Sequence, residues 1–263
     1  MTNSLIARTR LDGRTAIVTG GAGHIGAAIA RGFDELGATT IVVDSDEGRA
    51  RKVAESLRNG AFRALDITDT AALRELPGLI AAEFGGVDIL VNAAALVGTS
   101  ALKGWAVPFE EQAVDAWRQA LEVNLTAPFV LTQAAAPFLG RTKRGTVVNI
   151  GSIYGVVGPD WRLYDDTDLA NPAAYGASKG GLIQLTRWLA TTLAPNVRVN
   201  VVSPGGIMRG HVDPFLERYV SRTPMRRMGT EDDLVGAVVY FASDLSAYTT
   251  GQSLVVDGGF TAW

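Results

Sequence analysis

The chain has 263 residues, of which 47% are hydrophobic and 19% charged, with a formal net charge of -3. That bulk suits one large α/β domain with a substantial core, and the small negative charge, with no basic block, argues against nucleic acid or anionic membrane as the main partner. There is no cysteine, which excludes disulfides, thiol nucleophiles and cysteine-metal sites, and the two histidines, His24 and His211, lie too far apart in sequence to suggest a metal centre.

Residues 1–8 lack a signal-peptide apolar core. No run reaches the ~18 apolar residues of a membrane span. A soluble, cytoplasmic protein acting on a small molecule is therefore expected. Residues 11–14 read as a turn. Thr15–Thr19 is short, β-branched and not alternating, as a buried parallel strand should be. Gly20, Gly23 and Gly26 follow, and a helical pattern runs over 25–36. Strand, glycine turn and helix in that order make a phosphate cradle. Glycine lets the backbone approach a pyrophosphate, and the helix N-terminus offers unpaired N–H groups with partial positive charge. The bland alternative is a tight βα turn without a ligand. The cradle reading brings in His24 and Ile25 as neighbours of a dinucleotide.

The second strand, 39–43, ends in Asp44, at roughly the 20-residue offset of a carboxylate that grips the adenosine ribose. Asp44 and Ser45 also suit the cap of a helix over 47–58. A carboxylate here repels a 2′-phosphate, and no Lys or Arg follows until Arg49, so NAD is expected over NADP. Residues 61–66 read as a third strand, with a helix from 68 to about 84. Asp66, with Ile67, lies by the adenine or is merely a turn residue. Residues 85–92 give a turn and a fourth strand ending at Asn92. Ala93, Ala94 and Ala95 then suit the close approach of a flat ligand, or simple helix packing.

Residues 96–108 are irregular. Residues 109–139 read as one long helical stretch interrupted at Pro128. Asn124 sits inside it among Val123, Leu125 and Phe129, where an amide is costly unless paired. It either bends the helix or holds a water next to Lys179. A basic turn at 141–145 is read as solvated. The fifth strand, 146–150, delivers Ser152. The segment 153–174 is long, polar and aromatic, and Tyr154, Trp161, Arg162 and Tyr164 argue for an ordered lining. A helix over 175–193 is apolar almost all round, so the sheet is expected on one side and a partner subunit on the other. A sixth strand, 197–202, leads into Ser203, Pro204, Gly205 and Gly206. Residues 207–229 mix Gly, Pro, Arg and His211 and read as a lid. A helix over 231–243, a strand over 253–256 and a turn over 257–259 close one domain spanning 1–263.

The chemistry centres on Tyr175 and Lys179. On a helix their spacing puts them on one face, one turn apart. A phenol is a poor base near neutral pH, since its ordinary pKa is about 10. Lowering it by about 3 units takes about 4 kcal/mol, which Lys179 and a second close cation in a water-poor cleft would supply. Such a pair takes a proton from an alcohol or returns it to a carbonyl, while Ser152 holds the same oxygen. Alone, a Tyr-x3-Lys pair is most often surface decoration.

In this order and spacing, the Gly20–Gly26 turn, Asp44, the Asn92 to Ala95 stretch, Asn124, Ser152, Tyr175 with Lys179, Ser203 to Gly205 and Val256 to Gly259 resemble the short-chain dehydrogenase/reductase family, in its soluble single-domain branch. The resemblance covers nearly the whole chain. It implies a three-layer, doubly wound Rossmann-type fold with a seven-stranded parallel sheet. It implies a nicotinamide cofactor across the strand ends, with Asn92, Ala93 and Ala94 along it and Pro204, Gly205 and Ile207 walling its nicotinamide. Tyr175 would be the general acid/base. Lys179 would lower its pKa and bind the ribose, Ser152 would orient the substrate oxygen, and Asn124 would hold a proton-relay water. Similar members are commonly homotetramers. The chain departs from the branch at His24, where glycine is usual, at Ala93 and Ala95, and in a longer gap between Ser152 and Tyr175. The expected activity is NAD-dependent interconversion of a secondary alcohol and a ketone. Tyr154, Asp160, Trp161, Arg162, Tyr164, Arg209 and His211 suggest a hydroxylated substrate such as a sugar or polyol. The competing readings are an NADPH-dependent 3-oxoacyl-thioester reductase, an epimerase or dehydratase, and a non-catalytic dinucleotide sensor.

Overall fold

The computed structural model describes residues 4–98, 100–167, 169–210 and 213–263. In chain order the elements are α1 (Leu5–Thr9), β1 (Thr15–Thr19), α2 (His24–Glu35), β2 (Thr39–Asp44), α3 (Glu47–Glu55), β3 (Gly60–Ala64), α4 (Thr70–Phe84) and β4 (Ile89–Asn92). They continue with α5 (Val114–Leu121), α6 (Ala127–Leu139), β5 (Gly145–Ile150), α7 (Ala173–Leu193), β6 (Val197–Pro204), α8 (Phe215–Arg222), α9 (Asp232–Ala242) and β7 (Ser253–Val256). The strands form one seven-stranded parallel sheet in the order β3-β2-β1-β4-β5-β6-β7. This is the doubly wound, Rossmann-like arrangement that the resemblance implies.

Alternation along the strands feeds two cores, as the pleat requires. Ile17, Leu90, Val147 and Val199 face a layer with α4, α6 and α7. Ala16, Val18, Ile89, Val91 and Val148 face the other layer, with α2 and α9. Apolar residues on both faces explain why the strands read as continuous runs. At the amino ends of the strands, Arg14 is only 2% exposed. Its guanidinium donates to the Ala242 carbonyl at 3.1 Å and to Asp244 at 2.5 Å, so its charge is paired where β1 meets the end of α9.

The chain order reverses between β1 and β4. Thr19 pairs with Val43 on one side and with Asn92 on the other, and Asn92 pairs with Asn149. The carboxyl ends of these strands are therefore level and open a crevice at the switch point, where ligands of this architecture bind.

Two expectations need correction. The 109–139 stretch is not one helix broken at Pro128. A 3-10 turn at Phe109–Glu111, α5, a π turn over Glu122–Thr126 and α6 replace it, and Pro128 sits in the first turn of α6, where a missing N–H costs little. The break lies at Asn124 because its amide bonds outside the helix. The third strand is Gly60–Ala64, so Asp66 lies beyond it. The 207–229 segment contains α8, and an isolated bridge between Ile207 and Gly229 ties its two ends together. The short helix α1 was not anticipated. Among the described residues, no helix is long and apolar enough to cross a membrane.

Candidate active site

The turn after β1 is shaped by glycine. Gly20 has φ +61°, and a Cβ there would lie 2.6 Å from the Ala94 Cα. A Cβ on Gly26 would collide with the Gly20 carbonyl oxygen. The backbone is thus as close as it can pack, and α2 begins beside it with no side chain capping its N-terminal N–H groups. Asp44 joins this turn to the end of β2. Its carboxylate accepts from Ala22 N at 3.1 Å and from Asp46 N at 3.2 Å. The Asp66 carboxylate accepts from Thr68 N at 2.9 Å, which caps the turn into α4.

A cleft of about 1610 Å³ runs from this turn along the strand ends. Gly20, Gly23, His24, Ile25 and Gly26 line one end. Asp44, Ser45, Asp66 and Ile67 line the adjoining wall, with Ala93 and Ala94 beside them. The other end holds Ser152, Tyr154, Tyr175 and Lys179, with Pro204, Gly205, Ile207 and Arg209 across from them. A cradle that only glycine fits, an open helix N-terminus and an acid at the second strand end match a dinucleotide. Gly20→Val is expected to raise the dissociation constant for a reduced nicotinamide dinucleotide at least about tenfold, or ~1.4 kcal/mol, with an unchanged far-UV circular dichroism spectrum. Titration by cofactor fluorescence checks this, and wild-type affinity would contradict the cradle.

At the far end, Ser152 follows β5 in extended conformation. Its Oγ accepts from Tyr154 N at 3.2 Å and is near enough to the Tyr175 hydroxyl to favour its ionisation. Tyr175 stands in the first turn of α7 and Lys179 one turn later. Lys179 is 3% exposed. Its Nζ donates to the Ile150 carbonyl at 2.8 Å and lies 5.9 Å from the Tyr175 ring centroid. Burial pushes the Lys179 pKa down to about 8. Burial also raises Tyr175 above the ordinary phenol value, outweighing the Ser152 hydroxyl, which lowers it. Nearby Tyr164 raises it further and Arg209 lowers it. Without a dinucleotide the expected acidic phenol is therefore absent. The deep, dry setting that would strengthen a second cation disfavours the phenolate on its own.

Other predicted residues lie elsewhere. Asn92 is buried within the sheet, where Nδ2 donates to Asn149 Oδ1 at 2.8 Å. Asn124 is buried behind the cleft. Its Oδ1 accepts from Leu96 N at 2.8 Å, and its Nδ2 donates to the Leu96 carbonyl and to Ser178 Oγ, both at 3.0 Å. The amide is thus spent on tying the 96–108 segment to α7, and a water would have to find another group there. Trp161 and Arg162 are not brought to the cleft. Trp161 is 56% exposed, and Arg162 is exposed and paired with Asp160 at 2.8 Å. His211 lies outside the described residues. The sequence reading missed Phe215, Tyr219 and Met228, which line the substrate end. Tyr219 Oη accepts from Gly206 N at 2.5 Å and so props the turn after β6. The i, i+4 spacing of Phe215 and Tyr219 is the signal that would have found α8. Among the described residues, no group of three or more His, Asp or Glu side chains could hold a metal ion.

Residues 20–261 match a family model described as enoyl-(acyl carrier protein) reductase. Over 258 residues the chain is 36% identical to cis-4-hydroxycyclohexanecarboxylate dehydrogenase of Sinomonas cyclohexanicum, covering 95% of this chain and 97% of that protein. A solved structure of a short chain dehydrogenase from Leptospira borgpetersenii serovar Hardjo-bovis with bound NAD+ is similar at a TM-score of 0.86 and 32% identity, over 99% of this chain and 97% of that one. A gluconate 5-dehydrogenase from Burkholderia cenocepacia in complex with NADP and tartrate is similar at a TM-score of 0.87 and 29% identity, over 99% and 100% of the two chains.

Proposed function

The chain belongs to the short-chain dehydrogenase/reductase family, and from that premise we propose that it is an NAD(H)-dependent oxidoreductase interconverting a secondary alcohol and a ketone on a polar, hydroxylated substrate such as a sugar or polyol. The observation that carries this reading is the placing of Ser152 and Tyr175 together, with buried Lys179 one turn on, at one end of a cleft whose other end is a glycine cradle. The bound dinucleotide supplies the hydride acceptor or donor. Tyr175 Oη takes the proton of the substrate hydroxyl, or returns it to the carbonyl oxygen. Ser152 Oγ holds that same oxygen and keeps Tyr175 aimed at it. The Lys179 ammonium, fixed by the Ile150 carbonyl, favours the phenolate and reaches the ribose side of the cofactor. Asn124 steadies the α7 turn between them through Ser178. The whole chain, 1–263, works as one dinucleotide-binding and catalytic domain.

The substrate class is supported by the relatives, named for a hydroxycyclohexane acid and for gluconate, and by the tyrosine hydroxyls at that end of the cleft. The preference for NAD rests on Asp44. Among the described lining residues, Lys179 and Arg209 stand at the Tyr175 end, and no Lys or Arg lines the wall around Asp44. Assays of sugars, polyols and hydroxy acids with NAD and NADP, read by absorbance of the reduced nicotinamide, test both points. NAD is expected to win, and Asp44→Ser is expected to narrow its advantage by about tenfold or more, the loss of one like-charge repulsion at close range. A wild-type preference for NADP would overturn the cofactor choice.

A second reading, an NADPH-dependent 3-oxoacyl-thioester reductase, is supported by 33% identity over 254 residues to a 3-oxoacyl-(acyl-carrier-protein) reductase of Salmonella typhimurium. Turnover of a 3-oxoacyl thioester with NADPH, and none of any alcohol with NAD, would select it. Assembly as a homotetramer is supported by apolar side chains on the outer faces of α5 and α7, with Val114, Trp117 and Trp188 all exposed.

A further inference from the structure

The stretch between Ser152 and Tyr175 builds a polar wall that the proton chemistry does not use. Tyr154 Oη and Tyr164 Oη lie 2.7 Å apart, and both residues line the substrate end of the cleft. Tyr164 is held from two sides. Its ring packs against Trp161 at 5.7 Å and against Phe215 at 5.5 Å, both tilted. Asn171, 7% exposed, stands behind the pair, close enough to both hydroxyls to ease their ionisation, yet its Nδ2 donates to nothing.

The hydrogen-bond arithmetic leaves the pair one hydroxyl proton to offer. Two phenols carry two protons, and the bond between them uses one. Burial holds both phenols above their ordinary pKa, so neither proton is given up at working pH. One hydroxyl proton therefore remains, on a pair whose two residues line the cleft. A buried donor left without an acceptor is unfavourable, and an oxygen arriving from the cleft relieves it. An alkyl group does not.

The position fits a substrate held at Tyr175. Tyr154 lies two residues past Ser152, and its own N–H donates to Ser152 Oγ. Tyr164 is near enough to Tyr175 to influence its ionisation. We propose that Tyr154 and Tyr164 form a subsite for a second oxygen of the substrate, which selects diols and polyols over simple secondary alcohols. This rests on the alcohol–ketone reading above and extends it, because the reacting oxygen sits on Ser152 and Tyr175 while the second oxygen sits on the tyrosine pair. Tyr164 is then a specificity-determining residue.

Calorimetric titration of the NADH-loaded protein with cyclohexanol, cyclohexane-1,2-diol and cyclohexane-1,4-diol tests the subsite without needing turnover. At least one diol is expected to bind about tenfold tighter than cyclohexanol. Tyr164→Phe keeps the ring packing and removes only the oxygen, and it is expected to cut that ratio to about threefold or less. Equal binding of diols and cyclohexanol to the wild type, or a diol preference intact in Tyr164→Phe, would overturn the subsite. Oxidation of the same three alcohols with NAD separates the two readings. A diol preference in binding with no alcohol oxidised would sink the proposed reaction and leave the subsite standing. Oxidation without any diol preference would do the reverse.

Discussion

Tyr175→Phe is expected to lower kcat by about 10²–10⁴-fold, the range of a lost general acid/base, while NAD binding persists. The variant keeps the ring in the first turn of α7 and deletes only the oxygen beside Ser152. Ser152 keeps its bond from Tyr154 N, so the local backbone has no reason to move. Because burial raises Tyr175 in the dinucleotide-free protein, the loss is expected to depend on direction. Reduction uses the protonated phenol and is supported well below its pKa, whereas oxidation uses the phenolate and climbs with pH until the group has titrated. Steady-state rates in both directions across pH check this. A variant within threefold of wild type, or an unchanged oxidation profile, would remove Tyr175 from the proton path.

Lys179→Met is expected to push activity and stability in opposite directions. In the proposed role the ammonium favours the phenolate, and an opposite charge within about 4–6 Å is worth about 1–3 pKa units. Oxidation should therefore fall about 10- to 10³-fold at a pH below the titration of Tyr175. Stability behaves otherwise. Burial lowers Lys179 from 10.5 to about 8 in the folded protein. Between those values the unfolded chain holds a proton that the folded one has released, so stability rises with pH across that window and is lost as pH falls to about 8. Below about 8 the buried charge costs about 3 kcal/mol, less what its bond to the Ile150 carbonyl returns. Above pH 10 Tyr175 works against the rise, because its raised pKa makes the unfolded chain lose protons first. Urea denaturation between pH 7 and 10 is expected to show this rise in the wild type and a flat, higher curve in Lys179→Met. A parallel rise in both would mean that Lys179 is not the group responsible.

Much of the fold is legible because its strands are buried on both faces. Runs such as Thr15–Thr19 have no polar alternation to confuse with a surface strand, and a glycine turn after the first of them leaves few other arrangements. The Tyr175 and Lys179 pair is legible because four residues on a helix always meet. The features that were not legible depend on partners far away in sequence. The π turn at Asn124 exists because its amide reaches Leu96 and Ser178, which no local pattern encodes. α8 is only eight residues long and sits among prolines and glycines, which hid its Phe215 and Tyr219 face. Trp161 and Arg162 were read as lining by composition alone. Asp160, which accepts from Arg162 and also pairs with Arg222, fixes that turn so that both face outward. The ionisation of Tyr175 is the clearest case. The sequence shows the cation one turn away, but the burial that raises the phenol comes from the folded cleft.

A crystal structure of the protein with NADH bound tests the central claim most directly. The account predicts the pyrophosphate against the Gly20–Gly26 turn, the adenosine ribose on Asp44, and the nicotinamide ring at the cleft end where the Tyr175 hydroxyl and Lys179 Nζ both face it. A nicotinamide lying away from Tyr175, or a Lys179 turned out of the cleft, would contradict it.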